Sequence, residues 1–155
     1  MFITRECDYA VRVIRALAGG SRLSVSEICE KESITAPFAY KILKKLQEAG
    51  LVKGFRGVHG GYALNCGPEE ITLYDIYSAV DPELLIIECM GQGYECVRNG
   101  KSDGQCMVHC ELEEIQKELW ALLKRKNISC NGMQRIFIFW CVKRMQESSG
   151  KRMSV

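Results

Sequence analysis

Apolar residues recur at helical spacing through the first third of the chain. Tyr9, Ala10, Val13, Ile14 and Leu17 fall on one stripe of the segment from Arg5 to Ala18, with Arg5, Arg12 and Arg15 largely off it. That pattern predicts an amphipathic helix, which Gly19-Gly20 ends. In "SVSE", Ser24 can accept from the backbone of Glu27 while the Glu27 carboxylate reaches back, a capping box for a second helix. Ile28 and Cys29 would face inward from it. After the short turn "ESIT", Thr35 or Ala36-Pro37 opens a third helix. Pro37 is tolerated there because a first-turn N–H has no intrahelical partner to lose. Ala39, Ile42, Leu43 and Leu46 form its buried face, and Gly50 is its natural stop.

From Leu51 to Leu64, "LVKGFRGVHGGYAL" places two strand-like pieces around a glycine-rich turn, which reads as a β-hairpin. Helix, helix, turn, helix, hairpin is the order of a winged helix-turn-helix. "ITLYDIYSAVD" then offers a short helix capped by Thr72 and Asp75, with Ile76 and Val80 turned back onto the domain. Residues Asp81 to Cys110 carry too many glycines and too little periodicity for a helix, and predict a long loop of functional type. Regularity returns in "ELEEIQKELWALLKRK", where Leu112, Ile115, Leu119 and Leu122 are spaced three, four and three, the seam of a short coiled coil. With little of its own chain left to cover it, this is predicted to be a dimer helix. "RIFIFWCV" (135–142) is a dense apolar run with neither period, buried by the partner or by the winged domain, and the polar tail from Gln146 reads as disordered.

The predicted fold is therefore mainly α with a small β-hairpin wing. A winged helix-turn-helix domain spans 1–80, a cysteine-rich loop 81–110, a dimerisation helix with its apolar segment 111–145, and a tail 146–155. At 47% hydrophobic and 26% charged, the chain can bury a core. No apolar run approaches the roughly 20 residues a bilayer span requires. Glu6 and Asp8 precede the apolar residues of the N-terminus, unlike a secretion signal, so a cytoplasmic protein with no membrane partner is expected. Nine cysteines, an odd number, make a poor disulfide framework in that reducing compartment. There is no Walker loop, nucleophile elbow or His-Glu-x-x-His pair, so an enzyme is not expected.

Charge placement changes the picture more than net charge, which is only +2. Between Thr35 and Tyr62 five Lys/Arg (Lys41, Lys44, Lys45, Lys53, Arg56) stand against one acid, Glu48. The lysines of the third helix project largely away from its apolar stripe, where a recognition helix meets the major groove. The expected DNA surface is Pro37, Tyr40, Lys41 and Lys44 on that helix, with Arg56 and His59 in the wing. His59 reads as a phosphate or groove contact rather than a base. Gly60 and Gly61 are expected to hold turn geometry that admits positive φ.

The stretch "CMGQGYECVRNGKSDGQCMVHC", residues 89–110, holds four cysteines, a histidine and four glycines. Clustered thiolates suit an iron–sulfur cluster or zinc. Structural zinc favours closely paired cysteines, and within this stretch only Cys106 and Cys110 are so paired. A zinc-binding or metal-free regulator of the same fold stays open, as does a small iron–sulfur electron carrier. The carrier leaves the basic helix and wing unexplained. Cys7, Cys29, Cys66, Cys130 and Cys141 read as small core or partly buried residues.

"RGVHGGYAL", "ITLYDIYSAVD", "CMGQGYEC" and "QCMVH", followed by a helix opening toward "LW", resemble the IscR and NsrR type of winged-helix transcriptional regulator, the Rrf family. The similarity runs from about Phe2 to Lys126. It implies a homodimeric DNA-binding regulator, a repressor, on palindromic double-stranded promoter DNA. It further implies a 2Fe–2S or 4Fe–4S iron–sulfur cluster that senses redox, nitric oxide or iron status. Carried over by position, the three thiolate ligands are Cys89, Cys96 and Cys106, with six and nine intervening residues, more than is common in the family. The fourth ligand is Asp8, at the N-terminal position used by 4Fe–4S members, or His109, at the offset after Cys106 used by 2Fe–2S members, with Cys110, adjacent to His109, behind these two as a third option. Asp8 is the first choice of the two.

Overall fold

The first helix begins where a side chain can stand in for the missing turn. In a computed structural model that describes residues 4–58, 60–94 and 106–129, Thr4 caps helix α1 (Arg5–Leu17), its hydroxyl accepting from the Cys7 amide at 3.3 Å. The capping box predicted for α2 (Val25–Glu32) is present: Ser24 N donates to Glu27 Oε2 at 2.7 Å, and Glu27 N donates to Ser24 Oγ at 3.3 Å. Helix α3 (Ala36–Glu48) starts after Thr35, which makes no side-chain cap, and carries Pro37 in its first turn. Gly50, at φ +75°, takes the chain out of it.

Strands β1 (Val52–Phe55) and β2 (Gly61–Leu64) pair antiparallel, with Val52 opposite Leu64 and Phe55 opposite Gly61. Leu23 adds a bridge to the open side of β2, donating to Tyr62 O at 3.0 Å and accepting from Tyr62 N at 2.7 Å. The wing is thereby fastened to the start of the helix pair. Helix α4 (Leu73–Val80) has the expected second capping box, Thr72 N to Asp75 Oδ2 at 2.9 Å and Asp75 N to Thr72 Oγ1 at 3.2 Å. Among the described residues, five helices and this hairpin form the expected winged helix-turn-helix with an added long helix.

Apolar faces converge as their periods demand. Ala10, Val13, Ile14 and Leu17 of α1, Ile28 of α2, Ala39, Ile42, Leu43 and Leu46 of α3, and Ile76 and Val80 of α4 form one core. Each such large side chain stabilises the fold by about 1.5–3 kcal/mol. Cys29 and Tyr9, expected inside, are only partly buried at its edge. Arg15 and the buried Glu32 form an ion pair between α1 and α2. A lone buried carboxylate there would be strongly unfavourable.

The last part of the chain differs from expectation in two respects. Helix α5 (Met107–Lys124) begins before Cys110, so the final turn of the predicted loop is helical; a short 3₁₀ turn, Glu88–Met90, also interrupts it. Nor is α5 short of cover from its own subunit. Leu123 and Gln116 are buried, Leu119 and Trp120 pack on the core, and Trp120 meets Tyr74 of α4 edge-on at 6.4 Å. Past the helix, Leu73 N donates to Lys126 O at 2.8 Å and Ile128 N to Ile71 O at 3.1 Å, tying the chain to the entry of α4. The run 135–142 and the tail lie outside the described residues. No helix among the described residues is long and apolar enough to cross a membrane.

Candidate functional site

Two groups of the anticipated residues occupy two parts of the fold. On α3, burial of Ala39, Ile42, Leu43 and Leu46 turns Pro37, Tyr40, Lys41 and Lys44 outward. Tyr40 is 57% exposed, and among the described residues Lys44 pairs with Glu48, at 3.9 Å along the same exposed face. Such a pair contributes little and leaves the ammonium available.

The other two lysines behave differently. Lys41 and Lys45 both bind the Glu6 carboxylate of α1, Lys45 at 2.7 Å, and Lys45 also donates to Val80 O at 2.9 Å. Lys45 is thus a strut between α3, α1 and the end of α4, not an outward-projecting cation. Lys45 takes this role because its position flanks the buried stripe and an acid on a neighbouring helix lies within its reach. Hydrogen bonds from Lys41 and then Lys45 hold the Glu6 carboxyl below the ordinary range.

Wing geometry follows from its glycines. Gly61 has φ +142°, and a Cβ there would stand 2.6 Å from Leu23 O. At Gly60 the constraint is close backbone approach rather than positive φ, since a Cβ would come 2.7 Å from Phe55 O. Arg56 is exposed beside them, and His59 lies outside the described residues. Arg22, absent from the sequence-derived surface, lays its guanidinium 3.6 Å from the centre of the Phe55 ring, with Lys53 Nζ 5.9 Å from the same centre. Nothing local marks Arg22. Its place depends on the bridge between Leu23 and Tyr62.

The second group gathers where the 3₁₀ turn meets α5. Cys89 Sγ lies 3.7 Å from His109 Nδ1. Cys106 is the N-cap of α5, and Cys110 follows one turn later, its amide donating to Cys106 O at 3.1 Å. Cys96 lies outside the described residues. Asp8 accepts from Arg12 Nε at 2.9 Å on α1, and among the described residues no three His, Cys, Asp or Glu side chains come together. Within one chain, then, His109 rather than Asp8 stands beside Cys89. A thiol and an imidazole are donor types that iron–sulfur centres and zinc both accept, and Cys89 with His109 supplies two such donors.

A buried amide ties the segment that precedes Cys89 to α5. Gln116 of α5, 1% exposed, accepts from Ile86 N at 2.7 Å and donates to Leu84 O at 3.1 Å. Trp120 Nε1 donates to the same carbonyl at 3.3 Å. Further along α5, Ile115, Leu119 and Leu122 line a shallow apolar groove flanked by Glu118 and Arg125. The expected four-residue seam is divided: Ile115 and Leu122 are 51% and 46% exposed, whereas Leu112 and Leu119 are half-buried.

The family model described as Rrf2, Iron-dependent Transcriptional regulator, matches residues 3–129. The chain belongs to the Rrf2 family. It is 30% identical over 122 residues to the HTH-type transcriptional regulator IscR of Vibrio vulnificus, covering 77% of this chain and 70% of that protein. CymR, the global cysteine regulator of B. subtilis, has the same fold at 23% identity, with a TM-score of 0.65 and coverage of 85% of this chain and 96% of that one. IscR from T. potens aligns with 99% of this chain and 92% of that one at a TM-score of 0.62 and 18% identity. The Rrf2 family model and the IscR of Vibrio vulnificus are both described as transcriptional regulators, and this chain is a transcriptional regulator, not an enzyme.

Proposed function

We propose that this Rrf2 regulator is a cytoplasmic homodimer that represses transcription from double-stranded promoter DNA under the control of an iron–sulfur cluster. The observation that carries the cluster reading is the 3.7 Å approach of Cys89 Sγ to His109 Nδ1, across 20 residues of sequence. Cys89, Cys96 and Cys106 are the proposed thiolate donors, and His109 is the fourth donor supplied by the same chain. Asp8 keeps that role only if the partner subunit brings it to the site. When bound, the cluster would supply a redox- and nitric-oxide-sensitive centre whose non-thiolate position is the labile one.

The protein's own part is mechanical. Gln116 and Trp120 hold the segment before Cys89 onto α5, and Leu123 and Trp120 hold α5 onto α4, which packs on α1 and α3. A change at the thiols thus has a packed route to the DNA-facing helix, which is what a switch of this kind requires. Docking places Pro37, Tyr40, Lys41 and Lys44 of α3 in the major groove, and Arg56, His59, Gly60 and Gly61 in the wing against the flanking backbone. The exposed Ile115 and Leu122, with Leu119 and Leu112 behind them, form the dimer surface.

Anaerobic purification with an absorption spectrum and iron and sulfide analysis tests the cofactor. The expected result is a species with sulfur-to-iron charge-transfer absorption that His109→Ala alters and Asp8→Ala does not. Stoichiometric zinc without sulfide, or neither metal nor sulfide, would replace this reading with that of a zinc-binding or metal-free regulator.

A further inference from the structure

The basic character of α3 is offset by an acid that the sequence places on another helix. Glu6, in the first turn of α1, receives both Lys41 and Lys45. Of the three lysines of α3, Lys44 has the most exposed side chain, at 79%, against 54% for Lys41 and 32% for Lys45. Glu6 itself is 28% exposed, so it remains within reach of solvent and of an approaching polyanion.

We propose that Glu6 is a charge brake on the DNA-facing helix: it occupies Lys41 and Lys45 and so suppresses binding to the phosphate backbone that does not depend on sequence. The proposal rests on the reading that the outer face of α3 meets DNA. Non-specific binding comes almost entirely from phosphate neutralisation and counterion release. A phosphate that approaches Lys41 must either displace the Glu6 carboxylate or lie beside a like charge. Lys45 has in addition the Val80 carbonyl to lose. Contacts that read bases, for which Tyr40 is positioned, are not weakened in the same way, because they do not compete for those ammonium groups. Glu6 therefore sets the ratio of specific to non-specific affinity, while Lys44 carries the unhindered phosphate contact.

The test uses the full-length dimer and a random-sequence duplex of about 30 base pairs, with affinity followed by fluorescence anisotropy over a salt series. Glu6→Gln is expected to bind the random duplex about threefold or more tightly per subunit at low salt, and to steepen the log–log salt slope by about one unit per subunit. Adding Lys41→Gln to Glu6→Gln should remove most of that gain. In the parent protein, Lys44→Gln should flatten the slope by about one unit per subunit and Lys41→Gln by less than half of that. If Lys44→Gln flattens the slope and Glu6→Gln leaves it unchanged, the brake is overturned while the docking face stands. A Lys44→Gln protein with the parental slope would remove the docking face and the brake together. Should Glu6→Gln fail to fold, flattening by Lys41→Gln that equals or exceeds that by Lys44→Gln overturns the proposal, and flattening of less than half as much supports it.

Discussion

The Gln116 side chain donates to the Leu84 carbonyl at 3.1 Å, joining α5 to a residue 32 positions earlier. Leu84 is itself held at φ +44°, a conformation that β-carbon crowding makes unfavourable outside glycine. The amide also takes Ile86 N, so one buried side chain satisfies two backbone groups immediately before Cys89. Gln116→Ala is expected to cost about 1–3 kcal/mol, the loss from leaving such buried groups unpaired. Urea denaturation checks this. Unchanged stability would mean that water replaces the amide.

Docking through α3 and the wing makes a separate forecast. Arg56→Ala should weaken binding to all DNA sequences alike and reduce the salt slope by about one unit, as a phosphate contact does. Tyr40→Ala should instead narrow the difference between promoter and random DNA. Titrations against both duplexes distinguish the two effects.

Gly61→Ala is expected to break the wing without touching DNA directly. Its Cβ would stand 2.6 Å from Leu23 O, and the φ of +142° disfavours any L side chain. A loss above about 1 kcal/mol is anticipated, as for other residues forced into a sparsely populated backbone region. A thermal melt equal to that of the parent would contradict the packing of Leu23 on β2.

The proposed dimer surface can be separated from the subunit core. Ile115 and Leu122 are exposed, whereas Leu119 packs on the core. Ile115→Glu with Leu122→Glu should give a folded monomer by light scattering, with palindromic DNA binding lost. Leu119→Glu should destabilise the subunit as well. Were the double variant still dimeric, the interface would move to the apolar run 135–142.

Acid should weaken α2 through its cap. Hydrogen bonds from the Ser24 side chain and backbone hold the Glu27 carboxyl below its ordinary value of 4.5. A carboxyl depressed in the folded state stabilises it above the unfolded pKa, and that contribution disappears as pH falls through the folded value. Stability contributed by Glu27 is therefore complete above about pH 4.5 and is lost below it. Glu27→Gln keeps a capping acceptor that does not titrate, so its stability should fall less steeply over the same acid range. Parallel pH curves for the two proteins would show that the box contributes nothing there.

Local rules made most of the scaffold legible from sequence. Capping boxes such as Ser24 with Glu27 and Thr72 with Asp75 act across three residues, and the buried stripes of α1 and α3 repeat every turn, so the sequence alone contains the cause. Glycines at 50 and 61 mark places where the backbone itself must turn or approach another strand. The basic count over 35–62 was equally readable, but the fate of each lysine was not. Lys45 became a strut because Glu6, far away in sequence, lies across from it once α1 packs against α3. The same holds for Arg22 on Phe55, for Gln116 under Leu84 and for Cys89 beside His109. No period or cap relates those partners. They meet only when the helices pack, because burying the apolar stripes fixes the angles at which polar neighbours are brought within hydrogen-bonding distance.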